Sequence, residues 1–391
     1  MTKHRKGTKK ALSREEYWER CSELGSREDI LAQVDADLRR TGFAGDTVNV
    51  LIVYLATVTR LFNEPVSVAL LGPSSAGKSF TIKRALDFHP PEAYLALTAM
   101  SDKALIYMDV SLQHRMLVVY ETAGLSGEFL AYGIRTLLSE GRLDYWFTDF
   151  ELKRAVNISQ EGPTGLITST AGSLDRELST RVMQATVKDD AELTRAIMLA
   201  AAKEDQEEID LSPYHDLQRW IAAGPREVWL PFSEKLARET DPTAVRLRRD
   251  FQALLGLTRS HALLHQANRD SDARGRIVAV PADYAAIHRL VAAMIAEGAE
   301  RAVPDSVRET VSAVGKLDHK FDSSPHQVTI AELAKHLGIN RSSASRRVNR
   351  ALGYGFLKDV SGGGRGKPKL LERGDPMPED AGVLPPPEIL T

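Results

Sequence analysis

At 391 residues, with 43% hydrophobic and 27% charged residues and a net charge of −2, the chain has the make-up of a globular protein of two or three domains. Its single cysteine, Cys21, excludes an intramolecular disulfide and suits a reducing compartment. The basic start "MTKHRKGTKK" runs into "SREEYWER" and not into an apolar core, and "VNVLIVYLATV" is too short and too polar to span a bilayer, so the expected location is the cytoplasm.

In chain order, residues 12–40 read as short helices. Residues 45–62, "GDTVNVLIVYLATVTRLF", have Asp46 as an N-cap and apolar residues at helical spacing. Pro65 ends that helix, and "VSVALL" reads as a buried strand. "RMLVVY" (115–120) and "TGLITST" (164–170) read as further strands, each preceded by helical material, an alternation that predicts a parallel sheet with crossover helices. From about Leu193 to Glu300 the pattern is helical. Residues 301–325 read as a connecting helix and loop, 326–373 as a compact basic unit, and 374–391 as a Pro-rich tail, extended or disordered.

The expected organisation is therefore an N-terminal segment, 1–44, then an α/β domain, 45–300, whose helical part begins near 193. The connection, the basic unit and the tail follow. Charge is unevenly spread. Residues 1–14 hold six Lys+Arg and no acid, and residues 326–373 hold ten against three, so both ends are candidates for polyanion binding, the first equally readable as a solvated tail.

After "VALL" comes Gly72-Pro73-Ser74-Ser75-Ala76-Gly77-Lys78-Ser79, followed by Phe80, a full match to the phosphate-loop pattern GxxxxGK[ST] with a strand before it and a helix after. Glycines let successive main-chain N–H groups point inward at a phosphate, and the helix adds its positive end. Lys78 reaches the outer phosphates as a point charge, and the Ser79 hydroxyl ligates Mg²⁺, so ATP with Mg²⁺ is the expected cofactor pair. Glu121 follows the apolar run 116–119, where an acid holds metal or polarises water; the two roles stay open, as does a plain exposed Glu. Thr170, with Thr168 and Ser169, ends the next strand and sets a hydroxyl beside the γ-phosphate. Arg181 lies eleven residues beyond Thr170, where a guanidinium can neutralise charge on a transferred phosphoryl group.

The run from Val68 to about Met294 resembles the AAA+ motor of the minichromosome maintenance type, and more closely the helicase-like ATPases found beside primases in prophages and other mobile elements. The residues that carry this are "LLGPSSAGKS", "ALIYMDV", "LVVYETAGL", "AYGIRTLLSEGRL", "EGPTGLITST", "ELSTRVM" and "RLRRDFQALLGLTRSHALLH". The lone Glu121 departs from the acidic pair of that family. The resemblance implies an α/β AAA+ core with a helical lid, a homo-hexameric ring, ATP hydrolysis coupled to DNA unwinding, and a primase partner. It puts Arg181 at a neighbouring subunit's nucleotide and Arg249 in the lid as a nucleotide sensor, with Arg246 and Arg248 as rivals. It also makes residues 143–163 a hairpin in the ring's channel, with Lys153 and Arg154 placed on backbone phosphates of a single strand; without the resemblance they read as a solvated turn. A nucleotide-switched DNA-binding regulator or loader, and a degenerate ATPase, are the alternatives.

The basic unit reads as helix, turn at Gly338, second helix, then two strands about a Gly-rich loop. Ile330, Leu333, Ala334 and Leu337 mark one inner face, and Ala344, Val348 and Leu352 the other. Arg341, Ser342, Ser345, Arg346, Arg347, Asn349 and Arg350 are left for duplex DNA, with Arg365, Lys367 and Lys369 on a wing along the backbone. It resembles a winged helix, a fold that also serves protein docking.

Overall fold

The computed structural model describes residues 12–125, 127–151, 153–172, 174–203, 207–240, 242, 247–318, 328–361, 368–375, 377 and 383–390. They form two compact units: Met1–Ser233 with Ala253–Leu290, and Glu234–Gln252 with Val291–Thr391. The helical stretch that the sequence assigns to a lid is thus shared between both.

In the first unit, helix Arg14–Gly25 opens with a reciprocal cap. The Ser13 hydroxyl takes the Glu16 amide at 3.2 Å and the Glu16 carboxylate takes the Ser13 amide at 2.6 Å. Helix Ile30–Arg40 follows, and then Thr47–Val58, capped by the Asp46 carboxylate on the Val48 amide at 3.0 Å. Almost every residue of this third helix is buried, as expected for an element apolar on all sides.

The central sheet comprises β1 (Val68–Leu71), β2 (Tyr94–Leu97), β3 (Arg115–Val119), β6 (Thr164–Thr170) and β7 (Met183–Thr186). Between β3 and β6 the chain makes an antiparallel hairpin of β4 (Arg142–Asp149) and β5 (Arg154–Glu161). The sheet is parallel in the order β2-β3-β6-β1-β7. Strand β6 is buried along all seven residues, Leu166 and Ile167 among four buried hydroxyl residues, as suits a strand covered on both faces. Ala69, Leu117, Val119 and Leu166 from the sheet pack with Leu130, Ile134 and Leu137 of helix Glu128–Glu140 and with Leu143 at the base of the hairpin.

His261, His265 and Asp283 meet in this unit with the residue types of a metal site. Asp283, both ring nitrogens of His265 and Nδ1 of His261 are already engaged. Asp283 accepts from His261 Nδ1 (2.7 Å), from Arg269 Nη2 and Nε (2.6 and 3.1 Å) and from the Val280 amide (2.8 Å). The Ile30 amide donates to His265 Nε2 at 3.2 Å, so its Nδ1 carries the proton and donates to the His261 carbonyl at 2.9 Å. The cluster is a closed hydrogen-bonded clamp between the N-terminal helices and the segment 253–290.

Burial, with the neighbouring His261 second, lowers His265 to about 4, and hydrogen bonds from His261 and Arg269 hold Asp283 at about 2 against the opposing cost of its burial. A histidine depressed in the folded state keeps its contribution above the unfolded value near 6.5 and loses it as pH falls towards 4. His265 should therefore make chemical unfolding show about 2 kcal/mol less stability at pH 5 than at pH 7, added to a change of the same sign from the buried His89, and His265→Gln should make that slope shallower by its own share. An equally steep slope in the variant would remove the clamp as a cause.

The second unit packs helices Asp305–Asp318, Ile330–Leu337 and Arg341–Gly353 against an antiparallel sheet of Val328–Thr329, Leu370–Arg373 and Leu357–Asp359, in that order. Its core draws Val303, Val307, Val311 and Val314 in with Leu333, Val348, Phe356 and Leu371. The connecting helix expected within 301–325 is thus Asp305–Asp318, and it packs into the core of this unit. The Pro-rich tail differs from expectation. Val383, Leu384 and Pro385 are buried, residues Pro387–Leu390 make a helical turn, and the Ile389 carbonyl accepts from Lys235. Proline lacks the amide for a helix or strand ladder but packs as an apolar ring. Among the described residues, no helix is long and apolar enough to cross a membrane.

Candidate functional site

All five strands of the sheet run the same way, so the segments leaving β1, β6 and β3 emerge along one edge. That edge gathers Gly72 to Ser79, Thr170 and Glu121. The Thr170 carbonyl takes the Gly72 amide at 3.3 Å, and the Leu71 carbonyl takes the Val187 amide at 2.7 Å, fixing both sides of the strand that feeds the loop. The Thr170 side chain is buried and its hydroxyl accepts the Gly172 amide at 3.1 Å. Ser169 donates its hydroxyl to the Tyr120 carbonyl, tying the end of β6 to the residue before Glu121. Glu121 is exposed just past β3, two strands from β1, which at sheet spacing is about 10 Å.

The loop turns on positive backbone angles at Ser75 (φ 69°) and Gly77 (φ 78°). Gly77 is the N-cap of helix Lys78–Asp87, and no atom lies within 4 Å of where its Cβ would stand, so glycine is needed there for its backbone and not for space. The amides at that helix start have no partners within the helix, apart from Thr81, which bonds the Gly77 carbonyl at 2.8 Å. Pro73, Ser74, Ser75 and Ser79 are exposed, Gly72 and Ala76 partly so. Lys78 is 8% exposed and folds back over the loop, donating from Nζ to the carbonyls of Gly72 (2.9 Å) and Pro73 (2.5 Å). A cation held by neutral acceptors, a left-handed glycine and a solvent-facing hydroxyl fit a magnesium nucleotide. Lys78 and the loop amides would hold its phosphates, and Ser79 with Glu121 the ion.

Phe80 stands beside the loop with its ring stacked on Phe43 (5.8 Å, 18°) and the Arg84 guanidinium 4.8 Å from its centre. Phe43 and Arg84 were not read from the sequence as site residues. Arg181 is partly exposed, with Nε on the Ser139 hydroxyl and Nη1 on the Glu177 carbonyl, both at 2.8 Å. Arg135 braces the same short helix, Arg176–Ser179, through Asp175 (3.4 Å) and Glu177 (3.0 Å). Its place three residues from the inward-facing Leu138 gave no charge signal in the sequence.

Arg249 is exposed in the first turn of helix Leu247–Leu264 and groups with the second unit, as does Arg248; Arg246 lies outside the described residues. Lys153 (φ 47°) and Arg154 stand at the turn of the β4–β5 hairpin, Arg154 paired in register with Asp149. On helix Arg341–Gly353, Arg341, Ser342, Arg346, Asn349 and Arg350 are exposed and Ser345 is partly so. Arg347 is partly exposed and pairs at the surface with Glu309 of helix Asp305–Asp318 at 2.8 Å, since it lies three and four residues from the buried Ala344 and Ala351. Lys369 donates to Asn349 at 2.7 Å, while Arg365 and Lys367 lie outside the described residues.

Residues 28–222 match the family model of the MTBMA_p00010 P-loop domain. No curated protein matches the chain. Over that span, the loop at the edge of a parallel sheet fits a P-loop NTPase, a nucleotide-binding and nucleotide-hydrolysing fold.

Proposed function

We propose that the chain is an ATP-driven motor on DNA, a helicase or translocase that works as a six-membered ring in replication of a mobile element, beside a primase. The observation that carries this reading is the double attachment of β6. Its last residue bonds the phosphate loop, and its first follows the hairpin directly, after Glu161. Seven extended residues, about 20 Å, join the nucleotide edge to the base of the hairpin, and the eight residues of β5 run on from there to Arg154 and Lys153 at its turn. A shift that follows phosphate release at Thr170 is thereby passed along a stiff, fully buried strand to the base of the hairpin, whose turn carries two cations that can hold backbone phosphates. Lys78 neutralises the outer phosphates, Thr170 senses the γ-phosphate, and Glu121 orients water or helps Ser79 hold the ion. Magnesium, when bound, polarises the phosphoryl oxygens and offsets charge on the leaving group. The segment 193–300, with Arg249, serves as the lid.

In the same reading the second unit is a winged helix on duplex DNA. The sheet order and the exposed arginines of helix Arg341–Gly353 support it. In the full-length chain, Arg346→Ala with Arg350→Ala should weaken duplex binding about tenfold or more and lower the slope of affinity against salt by about two phosphate contacts. Arg347→Ala should leave that slope alone. An unchanged slope in the double variant would assign the unit to protein docking.

The motor reading is tested by measuring ATP turnover with and without single-stranded DNA and by strand separation of a forked duplex. Turnover stimulated by DNA with strand separation supports it. Turnover and DNA binding without any strand separation or directional movement would instead favour a nucleotide-switched regulator.

A further inference from the structure

The hairpin carries two large rings that its own fold does not use. Along β4 the side chains alternate. Leu143, Tyr145 and Phe147 face inward, Tyr145 against Phe129 (5.1 Å) and Phe147 against Tyr107 (6.4 Å). Trp146 points the other way and is 65% exposed; Phe150, at the turn, is 86% exposed. An indole and a phenyl left in water on one protruding hairpin cost free energy unless something covers them.

We infer that Trp146 and Phe150 are a stacking platform for the bases of a single nucleic-acid strand; this rests on the motor reading above. Two features select this occupant. Lys153 and Arg154 stand beside Phe150 at the turn, where they can meet the backbone of a strand whose bases lie on the rings. The acids Asp149 and Glu151 balance those two cations, so charge alone gives the tip little hold on a polyanion, and the flat faces must supply the grip. Every base has a flat face to stack, so the grip does not depend on sequence, which suits a strand that slides. Trp146 stands opposite Asn157, whose side chain reaches across to Asp144 at 3.4 Å, so the ring rests on a polar rung and removing it leaves no hole in the core.

The test compares a dT20 oligonucleotide with a 20-mer of abasic sites, which has the same phosphates and no bases, by fluorescence anisotropy with the full-length protein. Wild type should prefer dT20 by tenfold or more. Trp146→Ala and Phe150→Ala should each bring that ratio towards one while binding to the abasic strand is kept, and Trp146→Phe should restore most of it. Circular dichroism and unfolding temperature close to wild type would show that the hairpin is intact in each variant. Equal wild-type affinity for both strands overturns the stacking platform and leaves the motor reading standing. No binding of either strand overturns both. If Trp146→Ala keeps the ratio but disperses assemblies in sedimentation, the rings cover a second copy of the chain and the inference is wrong.

Discussion

Lys78→Ala is expected to bind ATP and ADP roughly 10- to 150-fold more weakly than wild type, the equivalent of the ~1.5–3 kcal/mol that a charged hydrogen bond contributes. Hydrolysis should fall further, because the same cation meets charge that grows in the transition state. The geometry says what the substitution removes. Lys78 Nζ rests on the Gly72 and Pro73 carbonyls, and arriving phosphate takes over those bonds. Without the side chain, water reaches both carbonyls, since Pro73 is exposed and Gly72 partly so, and the unfolding temperature should change little. Calorimetric titration at fixed Mg²⁺ checks this; affinity equal to wild type would remove the loop as the nucleotide site.

Arg181→Ala should keep nucleotide affinity and lose roughly a thousandfold or more in turnover if its guanidinium completes a neighbouring subunit's site. Its present partners offer a control. Ser139→Ala deletes the Nε acceptor alone and should cost a small fraction of that loss. The decisive measurement mixes Arg181→Ala with Lys78→Ala, each inactive alone. In a ring, some interfaces then join an intact Lys78 to an intact Arg181, and part of the turnover returns. A mixture that stays inactive despite shown co-assembly would sink the shared site. Normal turnover in Arg181→Ala alone would reduce it to a brace for its own short helix, and Arg176 would be the next to test.

The phosphate loop, the helix capped by Asp46 and the buried run of β6 were legible because each is a local signal: fixed spacing, a cap before a periodic stretch, seven apolar or hydroxyl residues in a row. β2 and β7 were not. Tyr94–Leu97 is a sheet-edge strand with partly exposed residues, and Met183–Thr186 alternates buried with half-buried, so neither stands out from a loop. Arg347 is a different case. Its charge marked it for DNA with its neighbours, and its phase between Ala344 and Ala351 brings it beside helix Asp305–Asp318, where it pairs with the exposed Glu309. The contact of Phe43 with Phe80 joins residues 37 apart in the chain, and pattern reading has no access to such a pair.

The two bonds at the end of β6 have a kinetic consequence. Thr170 holds the Gly72 amide through its carbonyl, while Ser169 holds the carbonyl of Tyr120 through its hydroxyl. The strand that lies between loop and acid is stitched to both at consecutive residues. A displacement of the loop therefore draws on the segment before Glu121 through β6, and stopped-flow measurement of nucleotide release should give one relaxation for both segments where separate hinges would give two.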